Sequence, residues 1–135
     1  MLDPRSPWLG SPTRPVGPGC CCPGSYRSVL RTELGSTANR LLVSAVSAME
    51  VATKVRLGKF DAAGSLVSTW ERRVDDIDAE PLDLTTAHAL HAGSMPWFHR
   101  DHFDRLLAAQ AIVESVVLVT TDAAFDTLPA VRTAW

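Results

Sequence analysis

From Leu41 onward, short and wholly apolar runs alternate with stretches of helical periodicity, and few folds accommodate that alternation. LLVSAVS (41–47) reads as a buried strand, followed by a helix over about 47–57 that stops at Gly58. Residues 61–74 read as a second helix with Leu66, Val67 and Trp70 on one face, and IDAEPLDL (77–84) as a region holding a short strand with Pro81 near its edge. TTAHALHAGSM (85–95) is a helix opening on a Thr cap, MPWFHR (95–100) a loop, and 101–115 the strongest helix. VVLVTT (116–121) is again a buried strand, AAFDTL a short helix, and VRTAW (131–135) a terminal strand. Strands alternating with helices predict βαβ units and a mostly parallel sheet.

In such a sheet the strand-to-helix turns gather along one edge, and ligands bind in the crevice outside it. Three carboxylates sit at these turns: Glu50 after 41–47, Asp104 in HRDHFDRLLAAQA (99–111), and Asp122 after 116–121. Each has a structural explanation. Ser47 and Glu50 have the spacing of a capping box, and Glu50 precedes Lys54 by four residues, the favourable order for a helical ion pair. Asp101 can cap its helix, with Asp104 in the first turn, and Asp122 can cap the helix after it. Caps need only one acid per helix, however, and three acids facing one crevice repel unless a cation neutralises them. The joint placement points to a site for a hard divalent cation, Mg²⁺ or Mn²⁺.

Residues 1–40 have a different texture, holding six of the nine Pro, five of the eight Gly and all three Cys. SPTRPVGPGCCCPGS (11–25) has neither helical nor strand periodicity and reads as loop or disorder. Cys20, Cys21 and Cys22 are consecutive, a spacing that suits neither a disulfide framework nor zinc. The first forty residues carry five Arg against Asp3 and Glu33, whereas the remainder carries eight basic and thirteen acidic side chains. Neither part has the broad basic footprint of a nucleic-acid-binding surface. No run approaches the roughly 20 apolar residues of a membrane span, and no secretory signal is visible, so a cytoplasmic protein is expected.

SAVSAMEVATKVRLGKFD (44–61), HRDHFDRLLAAQA (99–111) and LVTTDAAFD (118–126), in that order and spacing, resemble a PIN domain, and more closely the VapC-type toxins of bacterial toxin–antitoxin pairs. The resemblance covers about 39–135 and implies a three-layer α/β/α fold with a mostly parallel central sheet. It implies a magnesium-dependent ribonuclease that forms a homodimer and is held inactive by a cognate antitoxin. By motif position Glu50, Asp104 and Asp122 match the family's acids. Family chains open with an apolar strand ending in a further acidic metal ligand. Here only Met1 and Leu2 precede Asp3, the candidate remnant of that ligand, and Pro4 follows. The first strand is therefore expected to be truncated or missing. A coding frame lost after Asp3 and restored near Asn39, or a misassigned start codon, would account for residues 4–38.

Under this reading Glu50 and Asp104, with Asp3, hold the principal ion, and Asp122 binds a second ion or orients the attacking water. Thr120 or Thr121 is a candidate to support the site by hydrogen bonding, Thr120 also to contact substrate, or is an ordinary strand-end Thr. Arg100, Arg105 and His99 are candidates for RNA phosphate contact or, equally, solvated surface. His88 and His91, one turn apart and without further ligands, are assigned to the surface. Trp97 and Phe98 are candidates near the site mouth for stacking on unpaired bases, with packing the favoured role, and Leu106, Leu107, Ile112 and Val113 are assigned to the core. A catalytically inactive PIN-like protein that binds an antitoxin or self-associates is the alternative. A phosphate-receiver domain would need paired acids after an intact first strand, and the chain also lacks a Gly-rich phosphate loop and a nucleophile elbow.

Overall fold

The computed structural model describes Gly35, residues 39–59 and residues 64–134. Asp3, the cysteines and the rest of the Pro/Gly-rich segment lie outside the described residues, as does the question of a missing first strand. Strand β1 (Leu42–Ser44) pairs in parallel with β2 (Glu80–Leu82), Leu42 opposite Glu80 and Ser44 opposite Leu82. Strand β3 (Leu118–Val119) pairs in parallel with β4 (Thr133–Ala134). The helices are α1 (Ala45–Arg56), α2 (Gly64–Ser68), α3 (Trp70–Asp76), α4 (Thr86–Ser94) and α5 (His102–Val113), with a short 3₁₀ helix at Ala123–Thr127. Helices joined to parallel strands are the expected α/β arrangement, but among the described residues the strands form two separate two-stranded sheets rather than one continuous central sheet.

Strand β1 is much shorter than the apolar run containing it. Ser44 rather than Ser47 is the N-cap of α1: its Oγ accepts from the Val46 N–H at 3.0 Å, and the chain turns helical at Ala45. The run 41–47 is thus half strand and half helix, an ambiguity inherent in short apolar segments. The Ser47–Glu50 capping box does not form, because both residues lie inside α1. The helix expected over 61–74 is two pieces, broken at Thr69, where the hydroxyls of Ser68 and Thr69 both donate to the Ser65 carbonyl. Such local side-chain bonds compete with the helical ladder.

Helices α1, α3 and α5 end alike, on a left-handed residue with paired 6→1 and 5→2 backbone bonds. Gly58 (φ 65°) closes α1, Asp78 (φ 52°) closes α3 and Ser115 (φ 57°) closes α5. At α5 the Val116 N–H reaches Ala111 O at 3.0 Å and the Ser115 N–H reaches Ile112 O at 3.2 Å. A Cβ in this conformation costs about 1 kcal/mol or more. Ser115 is exposed, so Ser115→Gly is expected to stabilise the fold by about 1 kcal/mol, measured by chemical denaturation.

The core forms where α5 meets α4 and the strands. Ala108, Ala109 and Ala111 are its deepest helical residues, packed with Leu42, Ala92, Trp97, Val116, Leu118 and Phe125. Small side chains let neighbouring backbones approach closely. Leu106, Leu107 and Ile112 are only partly buried against this cluster, and Val113 is exposed, so the core face of α5 lies towards the alanines. His88 is completely buried rather than on the surface. Its Nδ1 accepts from the Thr85 N–H at 3.1 Å, which places the neutral ring's proton on Nε2, 2.9 Å from Glu114 Oε1. The imidazole therefore completes the capping box that starts α4 and ties it to the end of α5.

Candidate active site

Glu50, Asp104 and Asp122 line one open cleft of about 500 Å³, although Asp104 does not lie on the strand-to-helix turn expected for it: α5 is entered from helix α4 through a loop, with no strand between them. Glu50 enters from the second turn of α1, Asp104 from the first turn of α5, and Asp122 from the turn after β3. Ser44, Lys54 and Thr120 share the lining.

The cleft owes its shape to a buried polar bridge. Gln110, fully buried on α5, accepts from the Ser44 hydroxyl at 2.5 Å and donates from Nε2 to the Asp83 carbonyl at 3.2 Å. Ser44 in turn caps α1, so a single amide fixes the ends of β1 and β2 and the start of the helix bearing Glu50. Motif reading assigned Gln110 no role; the signal available was a polar residue on the alanine face of an amphipathic helix, where a buried amide must find partners.

Each acid has a definite local partner. Glu50 Oε1 lies 2.6 Å from Lys54 Nζ, the ion pair expected from their spacing. Glu50 beside it holds the Lys54 ammonium above the usual lysine range, with smaller pulls from Asp101 and Asp104 against the opposing effect of burial. Asp104 Oδ2 lies 2.5 Å from His99 Nε2, and the His99 ring stacks on Trp97 with centroids 4.5 Å apart. Burial pushes the Asp104 carboxyl above the usual aspartate range; His99 opposes the shift, while the charges of Asp101 and Asp122 add to it. Asp122 caps the 3₁₀ helix by accepting from the Ala124 N–H at 2.8 Å, and its own N–H donates to Thr120 Oγ1 at 3.1 Å. Thr120 thus orients the turn that carries Asp122.

A raised carboxyl pKa means that the ionised form is penalised in the fold. That penalty is absent below the carboxylate range and develops as pH rises through it. Asp104→Asn is therefore expected to raise the melting temperature of the chelator-treated protein at pH 7, with the gain shrinking as pH falls to about 3. Thermal melts across that range check it.

The lining donors are carboxylate and hydroxyl oxygens, the chemistry a hard cation takes. Among the described residues no three His, Cys, Asp or Glu side chains converge closely enough to form a ready ligand cluster. Mg²⁺ commonly uses one or two carboxylates and keeps several waters, so the donor set fits such an ion.

Arg105 serves elsewhere. Its guanidinium donates to the carbonyls of Ala92 (2.6 and 3.0 Å), Met95 (2.8 Å) and Trp97, pinning the loop between α4 and α5, and it is not part of the cleft lining. This replaces the phosphate-binding role offered for it, because the planar fork is committed to backbone. Arg100 is exposed on the same loop. Trp97 is buried, with Nε1 donating to Thr127 Oγ1 at 2.8 Å, whereas Phe98 is fully exposed and takes no part in packing.

Comparison with curated proteins gives no match. Among solved structures, the chain resembles one described as DNA-bound VapBC from Salmonella typhimurium, at 22% identity and a TM-score of 0.51, covering 82% of this chain and 83% of that one. The likeness shows a shared fold. Residues 26–131 match the PIN domain family, a match beginning upstream of the change in texture at residue 40 and spanning β1 through the 3₁₀ helix. On a match of that extent, which contains all three cleft acids, the chain belongs to the PIN domain family.

Proposed function

We propose that this chain is a VapC-type toxin: a divalent-metal-dependent endoribonuclease whose acidic cleft cleaves RNA phosphodiester bonds. The observation that carries the reading is the meeting of Glu50, Asp104 and Asp122 at one cleft in a PIN-family chain. Glu50 and Asp104 would hold the principal Mg²⁺ or Mn²⁺ ion, with Asp3 a further candidate. When bound, such an ion offsets charge on the phosphoryl oxygens and acidifies a water. Asp122, set by Thr120 and the Ala124 amide, orients the attacking water or helps hold a second ion. His99 steadies the Asp104 carboxylate, and the exposed Arg100 is the candidate for contact with an RNA phosphate. Fold similarity to a VapBC complex supports a cognate antitoxin as partner, and the family resemblance supports a homodimer. No helix among the described residues is long and apolar enough to cross a membrane; the proposed action on RNA is placed in the cytoplasm.

A second reading, an inactive PIN-like protein that binds an antitoxin, draws on one observation: Glu50 and Asp104 are already engaged by Lys54 and His99. The discriminating experiment is RNA cleavage with Mg²⁺ or Mn²⁺ by the full chain and by Asp104→Asn. Cleavage lost in the variant and in chelator supports the nuclease; no cleavage by either chain supports the binding protein.

A further inference from the structure

We infer that Lys54 is a tethered counter-cation of the cleft, competing with the divalent ion for Glu50 and, once displaced, donating to a substrate phosphate. The inference rests on the metal-dependent reading above and adds a role for a residue that reading does not use.

Three observations carry it. First, Lys54 is the one cationic side chain among the described residues lining the cleft, against three carboxylates. Secondly, its ammonium contacts Glu50 directly, at 2.6 Å on Oε1, so lysine and an incoming ion require the same carboxylate. Thirdly, the Lys54 side chain is 52% exposed, so nothing in the packing prevents its long flexible stem from leaving. A partly exposed ion pair of this kind is weak, which makes it an exchangeable partner rather than a structural one.

Charge balance supplies the second half. A polyanion must enter a cleft bearing three carboxylates, and one divalent ion leaves a net negative charge there. Lys54, released from Glu50 but still anchored on α1, makes up the deficit. A single cation thus occupies the acid before the metal arrives and the phosphate afterwards.

The test uses the full chain and two variants, Lys54→Met, which keeps the apolar stem, and Lys54→Arg, which keeps the charge. Mn²⁺ affinity is measured by calorimetric titration, and RNA cleavage kinetics at saturating Mn²⁺ give KM and kcat separately. Removing a competitor of this strength is expected to tighten Mn²⁺ binding about threefold to fivefold in Lys54→Met, with Lys54→Arg close to the parent. The same Lys54→Met chain is expected to show a KM raised about fivefold or more, a loss that Lys54→Arg largely repairs. An Mn²⁺ affinity unchanged in Lys54→Met, with binding to the parent intact, overturns the competition. Tighter Mn²⁺ with an unchanged KM overturns the phosphate contact. A parent chain that takes up no Mn²⁺ overturns the metal reading itself, and is thereby distinct from failure of the role assigned to Lys54.

Discussion

Asp104→Asn is expected to lower metal-dependent RNA cleavage by about a thousandfold, mainly in kcat, while leaving the fold intact or more stable. The carboxylate is the most constrained of the three acids. It is held by His99 and sits in the first turn of α5, where it suffers the charges of Asp101 and Asp122. Asparagine keeps the shape and can still bond His99, but loses the negative charge that an ion requires. Electrostatic stabilisation of a phosphoryl transition state by a bound ion amounts to several kcal/mol, and each 1.36 kcal/mol is tenfold in rate. The expected rise in melting temperature without metal is the internal control: a variant that is inactive yet at least as stable has lost chemistry, not structure. Stability given up for a charged cleft is a recurrent cost of function. Comparable activity in Asp104→Asn would remove Asp104 from the reaction.

Arg105→Met is expected to cost about 3 kcal/mol of stability, read by denaturant titration, and roughly 10 °C in melting temperature. The methionine replaces the stem and removes every donor, leaving the carbonyls of Ala92, Met95 and Trp97 without their partner. Hydrogen bonds to a charged donor are worth about 1.5–3 kcal/mol each, and part of that sum returns where water reaches the freed carbonyls. Arg105→Lys is expected to recover only a minor part, because a single ammonium cannot span several carbonyls in fixed directions. The pinned loop ends at His99, the partner of Asp104, so loosening it is also expected to weaken cleavage. A loss below about 1 kcal/mol would show that the loop is held chiefly by the packing of Met95 and Trp97.

The sequence was most readable at the helix starts. Thr85, Asp101 and Asp122 cap as their positions predict, because a cap is a local device whose residues and spacing suffice to define it. The placing of acids at strand-to-helix turns was legible for Glu50 and Asp122, which follow β1 and β3; Asp104 follows no strand, because α5 is reached from α4 through a loop. Elements settled by tertiary partners were not legible. Residues 41–47 divide between strand and helix because Ser44, held by Gln110 on a distant helix, is better placed than Ser47 to cap α1. His88 looked like an exposed helical histidine because nothing local announces Glu114 or the covering of α4 by α5. Arg105 looked like a phosphate ligand for the same reason: its partners are backbone carbonyls, which leave no mark in a residue pattern. Val113 misled because α5 turns its alanines inward, leaving its larger side chains at the margin.

The strand β4 has a bearing on Asp122 that reaches beyond its two residues. The Thr120 N–H donates to Ala134 O at 3.1 Å, and Thr120 Oγ1 in turn receives the Asp122 N–H. Fraying of that final ribbon would release Thr120 and, with it, the turn that aims Asp122. Amide exchange at Thr120 is therefore expected to keep pace with the opening of β4, and in the nuclease proposed above that opening would release the turn carrying Asp122.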